Sequence, residues 1–225
     1  MKVQIQLLAI LLFWVLAIPS VQADNSKMTH IVFQFEDSDI PEGHFALAPK
    51  EMWRLGNRYL RMEEAPDPKH GIHGLVIADE PHIYIINRYN NQAQHIVDPG
   101  PTFEIHMPIF PSRPKKGEMN REKEISKLEF GNELEFFKQR KSRRMPNVLM
   151  KGKNYNAFML TIDGADLFLF TDKTSGQPVQ LTIQSEKESF VVHYEIYESG
   201  LKPDMELFKV PEGLKIIEAK GQPIN

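Results

Sequence analysis

Eight histidines are the first residues in this chain that invite chemistry, since imidazole is both a common metal ligand and a common general base. His70 and His73 form an H-x-x-H pair after Glu64, while His30, His44, His82, His95, His106 and His193 are scattered. Residues i and i+3 of a strand face opposite sides, and no acidic third ligand stands at a fixed spacing. The pattern therefore fits surface or hydrogen-bonded histidines better than a metal centre, and no metal is expected. Glu36-Asp37-Ser38-Asp39 resembles part of a calcium loop, but it lacks the glycine and terminal glutamate of an EF-hand. A solvated strand end is the simpler reading. The absence of cysteine excludes disulfides, thiolate metal sites and cysteine nucleophiles together. There is no G-x-S-x-G, no phosphate-cradling glycine loop and no zinc-protease motif. These residues predict a protein that binds rather than catalyses, with no cofactor.

Charge points the same way. Lys plus Arg is 27 against 30 Asp plus Glu, a formal net charge of −3, which gives no electrostatic case for nucleic acid. The run from Lys138 to Arg144 is the local exception. Arg140, Lys141, Arg143 and Arg144 are candidates for contact with anionic lipid headgroups or an acidic partner. The alternative is a solvated helix end whose cations complement the helix dipole.

The elements that must position these residues are mostly strands. The chain has 225 residues, 41% of them hydrophobic and 25% charged, as expected of one globular domain. Lys2, the apolar run Leu7 to Ile18, the break at Pro19-Ser20 and Val21-Gln22-Ala23 read as a signal peptide over 1–23, cleaved after Ala23. An exported, periplasmic domain over 24–225 follows. Ile31, Phe33 and Phe35 alternate with polar or opposite-facing neighbours; so do Val179 to Gln184 and Phe190 to Ile196. Leu75 to Ala78 and His82 to Asn87 flank Asp79-Glu80-Pro81. Asn154 to Ile162 and Ala165 to Thr171 flank Asp163-Gly164, a two-residue hairpin signal. The result is an antiparallel meander, as in a barrel or sandwich. Leu167 and Leu169 share one face of their strand, Phe168 and Phe170 the other. Both faces are apolar. Either a helix packs on the second face, or the sheet curves around an apolar cavity. Residues 107–150 differ. Met107 to Pro114 carries three prolines and reads as an extended loop. Met119 to Arg144 reads as one or two helices, with Ile125, Leu128, Leu134 and Phe137 as an apolar stripe lying on the sheet.

Four stretches carry a family likeness. Met52 to Glu64 resembles an early strand with basic and aromatic residues, and Leu75 to Val97 a hairpin with its return strand. Leu167 to Thr182 resembles a D-x-x-t-G-x-P pair, and Met205 to Ile217 a closing lF-x-x-P-x-G segment. In this order, behind a signal peptide, the chain resembles the LolA/LolB-like superfamily of periplasmic lipoprotein carriers. The resemblance implies a mainly β (α+β) fold, a curved antiparallel half-barrel with helices covering its concave apolar face. It implies a non-covalent carrier for lipid or lipoprotein acyl chains, working with inner- or outer-membrane transfer proteins. Candidate cavity residues are Phe33, Phe35, Trp53, Tyr84, Leu167, Phe168, Leu169 and Phe170. The family's lid-latching arginine falls in the region of Arg54, Arg58 and Arg61. The missing N-terminal amphipathic helix and the charged insertion at 107–150 leave a second reading open, an envelope sensor or protein-interaction module on the same half-barrel.

Overall fold

The computed structural model describes residues 27–36, 40, 44–109, 124–185 and 189–218. The expected signal peptide over 1–23, residues 37–39 of the acidic run and much of the proline-rich loop lie outside these. Among the described residues, twelve strands make one open, curved sheet, the half-barrel the family resemblance implies. They are β1 (Met28–Glu36), β2 (Lys50–Leu55), β3 (Tyr59–Glu64), β4 (Gly74–Asp79), β5 (His82–Asn87) and β6 (Gln92–Val97), then β7 (Arg143–Met150), β8 (Lys153–Ile162), β9 (Ala165–Asp172), β10 (Pro178–Gln184), β11 (Ser189–Leu201) and β12 (Lys215–Glu218). The spatial order is β12-β6-β5-β4-β3-β2-β1-β11-β10-β9-β8-β7. Every pairing among these strands is antiparallel except β12 against β6. The centre of the sheet is the long β11 seated on β1, with Phe33 opposite Tyr194 and Phe35 opposite Val192.

Local chemistry explains the hairpins. Asp163 and Gly164 both have positive φ, 51° and 78°, which a two-residue turn with right-handed strand twist demands. Lys151 and Gly152 repeat the geometry between β7 and β8 at 47° and 78°. Asp163 has a second task. Its Oδ2 accepts a 2.8 Å hydrogen bond from the Ile125 backbone N–H, tying the hairpin to the segment that covers the sheet.

Alternation places the core. Ile31, Phe33, Met52, Leu60, Met62, Val76, Leu167, Leu169, Leu181 and Val192 form the inner face, and Ile105, Met107, Ile109, Ile125, Leu128, Phe130, Phe136 and Phe137 lie on it. Phe33 and Phe130 stack with ring centroids 4.2 Å apart. The outer face is covered only in part. Phe208 meets Met28 and Leu55, while Val210 and Leu214 meet Leu75, Ile77 and Ile86. That is why β4 is buried on both faces.

The stretch 119–144 departs from its expectation. Among its described residues only Glu133–Gln139 is α-helical (α1), and Glu124–Lys127 is a 3-10 turn. The helix stops because Lys141 takes a φ of 52°, after which Arg143 and Arg144 enter β7 and pair with Met159 and Phe158. The basic run thus begins as the end of α1, with Lys138 in its last turn and Arg140 after it, and only Arg143 and Arg144 form a strand edge. With so short a helix the stripe shifts: Ile125, Leu128 and Phe137 are buried, but Leu134 faces outward and Phe136 takes the inner position. Met52 to Glu64 is likewise two strands, turning at 56–58 where Gly56 adopts a φ of 57°. No helix among the described residues is long and apolar enough to cross a membrane.

Candidate functional site

The cover, residues 105–109 and 124–139, is held by buried polar groups as well as by apolar contact. Arg54 shares the inner face of β2 with Met52 and is itself buried. Its Nε donates to the Gly56 carbonyl at 2.9 Å, its Nη1 to the Phe130 carbonyl at 3.1 Å. Its Nη2 donates to Asn57 Oδ1 at 2.8 Å and to the Ile105 carbonyl at 3.0 Å. Nη1 also pairs with Glu129 Oε2 at 2.8 Å, and Glu129 Oε1 meets His106 Nδ1 at 2.7 Å. One guanidinium thus touches both halves of the cover. Burial pushes the Glu129 carboxyl up, but the His106 hydrogen bond and the Arg54 charge outweigh it and hold the group below its usual range. The same hydrogen bond raises His106 against burial. Of the three arginines in the latch region, Arg58 lies 3.7 Å from Asp79 and Arg61 pairs with Glu63, so Arg54 is the one that reaches the cover.

A second polar post stands at the start of α1. Glu133 is fully buried and accepts hydrogen bonds from the Tyr194 hydroxyl at 2.9 Å, the Tyr197 hydroxyl at 2.5 Å and the Gly131 N–H at 2.9 Å. Burial raises its carboxyl above the usual range despite these donors, and raises both tyrosines as well. Nothing in the sequence marks Glu133, because one glutamate in a charged stretch looks solvated. Arg54 carries a faint signal, an arginine in phase with the inward residues of its strand.

The sequence candidates separate. Phe33, Leu167 and Leu169 sit in the closed core under the cover, and Phe35 packs at its margin. Phe168 and Phe170 lie on the opposite face, half-buried. Trp53 stacks on His30 at 3.7 Å and Tyr84 on His95 at 4.5 Å, both on the outer face. Arg140 is committed inward, bonded to Glu124 at 2.8 Å with its guanidinium 3.7 Å from the Phe136 ring; Lys141, Arg143 and Arg144 are exposed. His70 and His73 go to separate carboxylates, Asp67 and Glu63, and Glu63 also holds Arg88. His30, His95 and His193 pair with Glu51 and Glu198, Glu218, and Glu36 respectively. No group of three or more metal-ligating side chains forms among the described residues.

A cavity of about 1470 Å³ opens at one end of the sheet. Loops 44–48 and 65–70, the β7–β8 hairpin and the ends of β1, β10 and β11 bound it. Its lining mixes Phe35, Val179 and Met150 with Gln34, His193 and Lys151. Of the eight apolar cavity candidates read from the sequence, Phe35 alone borders it.

One buried pair sets a pH dependence. Glu80, in the turn between β4 and β5, and Asp98, just after β6, are 2% and 4% exposed. Both Glu80 oxygens and Asp98 Oδ2 find no donor among the other described residues, so the two carboxyls meet each other and a protonated Glu80 can donate to Asp98. Burial and the adjacent Asp98 charge push the Glu80 carboxyl up to about 7. A carboxyl raised above its unfolded value favours the folded state in acid and loses that contribution as pH rises through the folded value. Thermal stability should therefore fall between about pH 5 and about pH 8. Glu80→Gln should flatten that fall and stabilise the protein at about pH 8 by ~2 kcal/mol. Melting curves across that range, showing the same slope for both proteins, would contradict it.

No family model matches the chain, and no curated protein matches it. Solved structures similar to it include an uncharacterized conserved protein from Thermus thermophilus, at 10% identity and a TM-score of 0.46 over 87% of this chain and 92% of that one. The Pseudomonas aeruginosa MucA/MucB complex is similar at 13% identity and a TM-score of 0.42, over 87% of this chain and 59% of that one. A LolA superfamily protein from Nitrosomonas europaea is similar at 8% identity and a TM-score of 0.31, over 85% of this chain and 99% of that one. The chain spans 59% of the matched Pseudomonas chain. The LolA superfamily thus stands among the similar structures. The class defined by fold and site is a curved half-barrel with a latched cover, and the functional reading rests on this chain's own residues.

Proposed function

We propose that this chain is an exported, non-catalytic binding protein that takes lipid or lipoprotein acyl chains onto its inner face beneath a movable cover. The observation that carries the reading is the contrast between the two sets of contacts. The inner face offers Phe33, Met52, Leu167, Leu169, Leu181 and Val192, none of which needs a hydrogen bond. The cover is oriented instead by Arg54, Asp163 and Glu133. Polar groups of this kind can exchange their partners for water when the cover lifts, whereas the bared apolar face needs an apolar replacement. An acyl chain supplies one without demanding hydrogen bonds.

A second reading, an envelope protein-interaction module, is favoured by the cavity at the sheet end. Its amide, imidazole and charged lining suits a polypeptide better than an acyl chain. The experiment that separates the two readings locks the cover. A Cβ at Gly131 would lie 3.8 Å from Thr29 Cγ2 of β1, so Thr29→Cys with Gly131→Cys can bridge cover and sheet in a chain with no other cysteine. Acyl uptake should stop when the bridge forms, while a partner seated in the end cavity should bind as before.

A further inference from the structure

We propose that the outer face of β7–β9 docks on an anionic lipid bilayer. The proposal does not depend on the acyl-binding reading, because it concerns the face opposite the cover. Cross-strand register sets Met145 beside Ala157 and Ala157 beside Phe170, and Arg143 beside Met159 and Met159 beside Phe168. These side chains point away from Leu167 and Leu169. The C-terminal segment that covers the outer face packs on Met28, Leu55, Leu75 and Ile77, at the other half of the sheet. Met145, Met159, Phe168 and Phe170 belong to none of the three apolar clusters.

Charge identifies what meets this face. Arg54, Arg61, Arg88, Lys127, Arg140 and Lys209 each pair with a carboxylate. Lys141, Arg143, Lys151, Lys153 and Lys173 are exposed on β7–β9 and their turns; none makes a close ion pair with a described residue, and Lys153 acts on Asp172 at longer range. Arg143 rests on Met159 Sδ at 3.2 Å, whereas Arg144, opposite Phe158, belongs to the other face of β7 and donates to Asn156 Oδ1 at 3.3 Å. Two acids, Asp166 and Asp172, share this face and are outnumbered by its cations. Asp166 accepts from the Thr161 hydroxyl at 2.6 Å, and Asp172 accepts from the Thr174 and Ser175 N–H groups in its own turn. A second copy of this chain would bring like charges together across a two-fold axis. A half-buried apolar row rimmed by an excess of cations matches an anionic lipid surface, where headgroups meet the cations and the rings enter the acyl boundary.

Vesicle sedimentation tests this with the protein recovered from an expressing bacterium. The protein should sediment with phosphatidylcholine vesicles that contain phosphatidylglycerol and stay in solution with phosphatidylcholine alone. Arg143→Gln/Lys153→Gln/Lys173→Gln should lower the affinity roughly tenfold or more at low salt. Phe168→Thr/Phe170→Thr should remove the binding that survives high salt. Circular dichroism checks that each variant is folded; if the phenylalanine pair fails to fold, the charge variant still decides. Equal sedimentation of wild type and charge variant overturns the proposal. So does binding to soluble polyglutamate as tight as binding to the vesicles, which would make the partner an acidic polypeptide.

Discussion

Arg54→Met should destabilise the protein by about 3–5 kcal/mol, the largest single effect expected of any substitution outside the apolar core. The methionine preserves most of the apolar stem. What it removes is the guanidinium that joins β2 to both halves of the cover. Glu129 would remain buried with its charge facing His106 alone. The loss should shrink in acid, where His106 is protonated and supplies the missing positive charge. In the double variant Arg54→Met/Glu129→Met the stranded carboxylate is gone, and much of the stability should return, because an apolar pair can replace a buried ion pair of similar volume. Urea denaturation of the three proteins at two pH values measures all of this. A loss below about 1 kcal/mol for Arg54→Met would show that the cover is held by apolar packing alone.

The second large effect separates the two faces of β9. Leu167 and Leu169 have no exposed surface and lie beneath the cover. Cutting either to alanine should cost about 2–5 kcal/mol, the transfer loss plus the void left behind. Phe168 and Phe170 are larger but half-buried on the uncovered face. Alanine there should cost less than about 2 kcal/mol, since no cover closes over the missing ring and part of its surface already meets water. Size alone would predict the reverse order. Equal losses for the two pairs in urea titrations would mean that both faces of β9 are closed cores.

The strands were legible wherever alternation was strong. The β1, β9, β10 and β11 segments, with the Asp163-Gly164 turn, could be read from period-two patterning and one turn signal. The two apolar faces of β9 were legible too, but not which of them the cover chooses. That depends on where 105–139 returns to the sheet, a long-range fact with no local signature. The helical reading of 119–144 held only for Glu133–Gln139 and the turn Glu124–Lys127, for a related reason. Its charged residues suit a helix, yet β8 needs a partner on its free edge, and Arg143–Met150 supplies one. The parallel pairing of β12 with β6 was equally hidden, since four residues carry too little pattern to announce it. At the site, the latch region could be narrowed to three arginines in sequence. Only packing distinguishes Arg54, which points inward with Met52, from Arg58, which is exposed beside Asp79. Glu133 had no signal at all, because its hydroxyl partners lie more than sixty positions away.

The most direct measurement of acyl binding under a movable cover is fluorescent fatty-acid uptake by the Thr29→Cys/Gly131→Cys protein, before and after reduction. The oxidised protein should take up no probe, and reduction should restore uptake to the level of the Gly131→Cys single variant. That control also absorbs the strain of placing a side chain where φ is 95°. Undiminished uptake by the fully oxidised protein would contradict binding beneath the cover.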